Sequence, residues 1–204
     1  MPLRSLALAL ALLSTLLLAL AAPSAAKTKN KPEAPPPPQW QEFHFSDRGF
    51  VASFPGAIKP KAASTPVSGQ NPLLQHDYQV SLGDDTVYSV VVLEYPEGRA
   101  PSPARPSYYI KVLKAYAKGS GTSVRQKAPR IIDQRPGYEA MAETGRHKLD
   151  HLVDIVANGD RIYMLVSAGP RGHAKSKNAK RFRDGFRMLG GEPPPQSATS
   201  ALPE

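Results

Sequence analysis

The sequence predicts an α+β domain: a mainly antiparallel sheet of about six to eight strands with two principal helices packed on it. Short segments of alternating apolar and polar residues recur between Gly- and Pro-rich turns. Two longer segments, ending near residues 118 and 189, instead place apolar residues at helical spacing. The order of these elements shows no repeat and no βαβ rhythm, which argues against a parallel sheet.

Phe43 and Phe45, then Phe50, Ala52 and Phe54, alternate with polar or small residues on either side of Ser46-Asp47-Arg48-Gly49. This reads as a first hairpin, ended by Pro55-Gly56. Residues 57–71 hold Pro60, Pro66 and Gly69 and read as a loop. Strand character resumes over Asp77–Leu82 and Thr86–Glu94 around the turn Gly83-Asp84-Asp85. Tyr78, Val80 and Leu82 share one face, and the nearly continuous apolar run Val87–Leu93 predicts a central strand covered on both sides.

Ser107 is placed as the N-cap of the first helix, whose stripe is Tyr109, Val112, Leu113, Tyr116 and Ala117 and whose stop is Gly119. Lys111, Lys114 and Lys118 fall on its other face. Strands are expected around Arg130–Asp133, over Tyr138–Glu143 after a Pro136-Gly137 turn, and in a long hairpin, Leu149–Ala157 with Arg161–Ser167, turned at Asn158-Gly159. The last helix is expected from about Lys175 to Leu189, with Ala179, Phe182, Phe186 and Leu189 along its buried side.

Outside this core the chain changes character. Arg4, the apolar run Leu6–Leu20 and the small residues from Ala21 to Ala26 follow the three-part order of a cleavable secretory signal, residues 1–26. Residues 27–39, KTKNKPEAPPPPQ, read as an extended Lys/Pro-rich linker ahead of a single domain over residues 40–189. Residues 190–204 are a Pro/Ser-rich tail expected to be disordered. An uncleaved N-terminal anchor is the rival reading of residues 1–26, and no later run is long enough to span a bilayer. The chain has no cysteine, which excludes a lipid-attached lipoprotein, a disulfide framework and a thiol nucleophile. A periplasmic or secreted location follows from the signal.

Three segments together resemble the PsbP-like α-β-α sandwich of exported bacterial proteins. They are Gly49-Phe50-Val51-Ala52-Ser53-Phe54-Pro55-Gly56, Gly159-Asp160-Arg161-Ile162-Tyr163 and Arg181-Phe182-Arg183-Asp184-Gly185-Phe186. The resemblance covers roughly residues 40–189 and departs at Gly185, where the closing motif of that group has serine. It implies the fold and a non-catalytic accessory or binding role, and it carries over no functional residue.

The net charge is +9, and removing residues 1–26 takes away only Arg4. In an exported protein such a charge points to an acidic protein or an anionic envelope component rather than to nucleic acid. The basic residues concentrate late in the chain: Arg171, Lys175, Lys177, Lys180, Arg181, Arg183 and Arg187, with Asp184 as the one acid among them. These seven are the candidate binding residues. The alternative chemistry is an envelope enzyme or metal site at His147, Asp150 and His151. On a strand, however, two side chains four residues apart share a face at about 13 Å, too far to hold one ion. No zincin motif, no nucleophile elbow and no phosphate-binding loop before a helix is present, and no cofactor is expected.

Overall fold

The computed structural model describes residues 38–56, 61–67, 73–98, 106–145 and 148–190. The proposed signal, most of the linker, the tail beyond Gly190, and His147 lie outside the described residues. Among the described residues ten strands form two antiparallel sheets, with two α-helices packed on them, so the α+β antiparallel architecture holds.

The smaller sheet joins β1 (Trp40–Phe45), β2 (Phe50–Pro55) and the two-residue β10 (Arg187–Met188) in the order β1-β2-β10. Its first hairpin closes through a 3₁₀ turn at Ser46–Arg48 and Gly49, whose φ of 71° favours glycine. The larger sheet holds β3 (Lys61–Val67), β4 (Leu73–Leu82), β5 (Thr86–Glu94), β6 (Thr122–Ile132), β7 (Arg135–Thr144), β8 (Asp150–Asn158) and β9 (Arg161–Gly169). Their spatial order is β3-β4-β5-β9-β8-β7-β6, which places β5 and β9 near the centre, as the apolar run in β5 requires.

One face of the large sheet packs on the small sheet. Phe45, Phe50 and Phe54 meet Tyr78, Tyr88, Tyr163 and Val90 there, with Phe182 and Phe186 closing the layer. The other face carries α1 (Pro106–Ser120), which sets Tyr109 and Leu113 against Tyr138, Ala140, Val153 and Ile155. The helix contacts β6 and β7, so it covers one half of its face.

Five local expectations change, the first being that α1 begins at Pro106, which puts Ser107 inside the helix rather than at its N-cap. β3 occupies part of the region read as a loop. It is an edge strand paired only with β4, a place where Pro66 costs no ladder bond on its free side. The turn before β7 is Asp133-Gln134, both at positive φ, and Pro136-Gly137 already belong to the strand. Pairing with β8 begins at Gly137, so Pro136 has no donor to supply there. In the long hairpin Asn158 pairs with Arg161, which makes the two-residue loop Gly159-Asp160 with glycine first.

The last helix is shorter than its apolar spacing suggests. A 3₁₀ turn (His173–Lys175) precedes α2 (Lys177–Asp184), and Gly185 ends it. A Cβ at Gly185 would stand 2.7 Å from the Cβ of Ser53, so the helix end reaches β2 because glycine is there. The Ser53 N–H donates to the Gly185 carbonyl at 3.2 Å, and the chain then runs on into β10. Phe186 is buried from beyond the helix, whereas Leu189 is exposed.

Candidate functional site

Four of the seven candidate basic residues, Lys177, Lys180, Arg181 and Arg183, are positioned by how α2 docks. The Ser176 side chain caps the helix by accepting from the Ala179 N–H at 3.1 Å. Phe182 then packs between Phe54 and Tyr88. With that face fixed, Arg183 turns inward. Its Nη1 donates to Glu139 at 2.8 Å, onto the same oxygen that Arg130 reaches at 2.7 Å, and its Nε lies 3.9 Å from Asp154.

Asp154 is 1% exposed and keeps one carboxylate oxygen without a partner. Burial pushes its pKa up to about 7, against the charges of Arg183 and Arg130. Arg183 is therefore an internal counter-charge rather than a residue offered to a ligand.

The other six stay at the surface. Lys180 bonds Asp184 one turn on, Arg181 lies over the Trp40 ring at 5.2 Å, and Arg187 donates to Glu42 at 2.7 Å. Such exposed pairs are weak and easily exchanged for another anion. Arg171, Lys175 and Lys177 are exposed and make no ion pair among the described residues.

Two of these three line a cleft. Arg171 and Lys175, from the turn after β9, face Arg125, Gln126 and Met141 of the β6–β7 edge across a space of about 400 Å³. The one acid in its lining, Asp150, already accepts from the Gly172 N–H at 2.5 Å. Arg125, which pairs with Glu143, had no place in the sequence reading. Nothing in its local pattern distinguishes it, because the cleft exists only once the turn after β9 folds towards β6.

Of the His–Asp alternative only Asp150 and His151 are among the described residues, and these two do not converge. Asp150 and His151 are neighbours on β8 and point to opposite faces, the first towards Gly172 and the second towards α1, where its Nδ1 lies 2.6 Å from the Tyr116 hydroxyl. Burial holds His151 below its ordinary pKa, and the same cause raises Tyr116 to about 12. Among the described residues no three His, Asp or Glu side chains gather around one point.

A pair that sequence reading missed is Ser167 and His173, with Oγ and Nε2 2.6 Å apart. A hydroxyl beside an imidazole is the start of a nucleophile arrangement, but Ser167 is 2% exposed and His173 packs edge-on against Tyr88. No substrate carbonyl could reach that oxygen. The bond fastens the turn after β9 to the sheet, and Gly169 leaves the room it needs, since a Cβ there would meet the His173 ring at 2.5 Å.

The sequence motifs also serve the fold. Arg161 places Nε and Nη2 on one oxygen of Glu94 at 3.0 and 2.7 Å and reaches the Asp47 carbonyl at 3.3 Å. Tyr163 donates to the Arg48 carbonyl at 2.9 Å. These bonds clasp the two sheets at Gly49, where a Cβ would come within 3.1 Å of both side chains. Burial pushes the Glu94 carboxyl up, but the bonds from Arg161 and His76 outweigh it and hold it low.

No protein-family model and no curated protein matches the chain. Among solved structures the chain is similar to the solution structure of cyanobacterial PsbP (CyanoP) from Synechocystis sp. PCC 6803, at 12% identity and a TM-score of 0.49, over 74% of this chain and 92% of that one.

Proposed function

We propose that this chain is an exported, non-catalytic binding protein whose basic surface around the last helix meets an anionic partner, an acidic protein or an anionic envelope component. The observation that carries the reading is the cleft at the turn after β9. Arg171 and Lys175 project there without an ion pair among the described residues, beside Arg125, and the single acid present is already occupied by a backbone N–H. Lys177, Lys180, Arg181 and Arg187 are further exposed cations of the same segment, Lys180 and Arg187 being paired with Asp184 and Glu42, and Arg183 holds the helix in place from within. Export is supported by the order of residues 1–26, one cation, an apolar run and small residues.

The test is elution from an anionic resin and co-sedimentation with vesicles rich in phosphatidylglycerol, across a salt series. Arg171→Glu/Lys175→Glu/Lys177→Glu is expected to elute at clearly lower salt than the parent, and the parent's retention to fall steeply above about 0.1 M, where the screening length is about 10 Å. Equal retention of parent and triple variant sinks the proposal.

A further inference from the structure

Because α1 lies over β6 and β7, the half of its sheet face formed by β4, β5 and β9 borders a groove of about 590 Å³ along the helix. Val91 and Leu93 of β5 and Met164 and Val166 of β9 form its floor, with Val112 and Tyr116 of α1 as the wall. This volume and apolar lining suit one small organic molecule.

The carboxylates of the groove give its charged groups one sign. Asp77 stands on β4 opposite Val91, and Asp84 and Asp85 stand in the β4–β5 turn, Asp77 being bonded by the Gln75 amide at 2.9 Å. No lysine or arginine is found among the described residues that line it, although the chain as a whole carries a charge of +9. The groove is thus the electrostatic opposite of the basic cleft.

His151 supplies the second, independent observation. It lines the same groove and is 7% exposed, and the Tyr116 hydroxyl at 2.6 Å engages Nδ1. Its Nε2 has no partner among the described residues. A buried nitrogen left without a hydrogen bond is a cost that a ligand's polar group removes. The register aligns Val87, Ala168 and His151 across β5, β9 and β8, so His151 sits at the same end of the sheet as the Asp84-Asp85 turn. Leu93 lies at the other end, opposite Gln75, and Asp77 stands between the two ends, opposite Val91.

We infer that this groove is a binding site for a small cationic amphiphile. The ammonium end would lie between the Asp84-Asp85 turn and His151, and the apolar body would run over Val91 and Met164 towards Leu93. A primary ammonium can donate a hydrogen bond to Nε2 of a neutral imidazole whose Nδ1–H donates to the Tyr116 hydroxyl, while the turn carboxylates, two strands away, attract its charge over a longer range. An anionic amphiphile of the same length meets three carboxylates and no cation. The inference does not depend on the anionic-partner reading, which concerns other residues.

Isothermal titration calorimetry with decylammonium, decyl sulfate and decyl maltoside, each below its micelle concentration, tests it on the protein beginning at Lys27. Decylammonium is expected to bind saturably at one site, and decyl sulfate roughly tenfold more weakly or not at all. Asp84→Asn/Asp85→Asn should weaken decylammonium roughly fivefold and leave decyl maltoside unchanged, as expected for exposed charges. Ala115→Trp, at an exposed position on the groove wall, should abolish binding of all three. Decyl sulfate binding as tightly as decylammonium, or binding that survives Ala115→Trp with thermal melts unchanged, overturns the site. If Ala115→Trp fails to fold, the Asp84/Asp85 variant decides alone.

Discussion

Asp154 shows how one buried group can set a pH dependence. Its carboxyl is raised to about 7 by burial, whereas in the unfolded chain an aspartate titrates near 4. Between about pH 4 and pH 7 the folded state therefore holds a proton that the unfolded state has released, and this residue's contribution to stability falls as pH rises through that window. His151 and His173, both held low by burial, act in the opposite direction, because the unfolded chain takes up their protons first and stability is lost as pH falls below about 6.5. Comparing a variant with its parent separates the two trends. Urea unfolding of Asp154→Asn and of the parent, at about pH 5 and about pH 8, should show the difference in ΔG moving in favour of the variant as pH rises. A difference independent of pH would mean that Asp154 titrates elsewhere.

At the scale of elements, the junction of α2 with β2 is a close contact. Gly185 takes φ −85°, a conformation open to any residue, so glycine is required there by space and not by backbone geometry. Gly185→Ser places a Cβ against Ser53. It is expected to destabilise the fold by about 1–3 kcal/mol in thermal or urea unfolding. Removing the opposing Cβ with Ser53→Gly should recover part of that loss in the double variant. Simple additivity of the two substitutions would show that their contact is not the cause. The same junction explains why the apolar spacing overran the helix. Phe186 is buried as the spacing requires, but it reaches the core from the segment that turns into β10.

Over the whole molecule, the two candidate surfaces differ in sign. The edge near the turn after β9 presents Arg125, Arg171 and Lys175, while the groove beside α1 presents Asp77, Asp84 and Asp85. No helix among the described residues is long and apolar enough to cross a membrane. The export reading predicts that protein recovered after cell fractionation begins at Lys27 and is found in the periplasmic or medium fraction. N-terminal sequencing and intact mass decide this, and a chain beginning at Met1 in the membrane fraction would instead support the anchored alternative.

Much of the architecture was legible in the residues themselves. Alternation in Phe43–Phe54 located the first hairpin, the apolar run of β5 marked a central strand, and the Tyr109-Leu113 stripe identified the side on which α1 is buried. Periodicity works here because it records which way a side chain points along its own element. It carries no record of which charge will meet which. Glu139 and Arg183 are 44 positions apart, and Glu94 and Arg161 are 67 apart, so the sequence supplied seven candidate cations without showing that one of them would be spent on a half-buried carboxylate. The sequence by itself determined most of the elements, the faces they bury and the positive charge of the chain, but not β3 or β10. Only the tertiary structure decided which cations remain free, where the helix ends and that a groove with acidic groups opens beside α1, because each depends on elements distant in the chain approaching within a few ångströms.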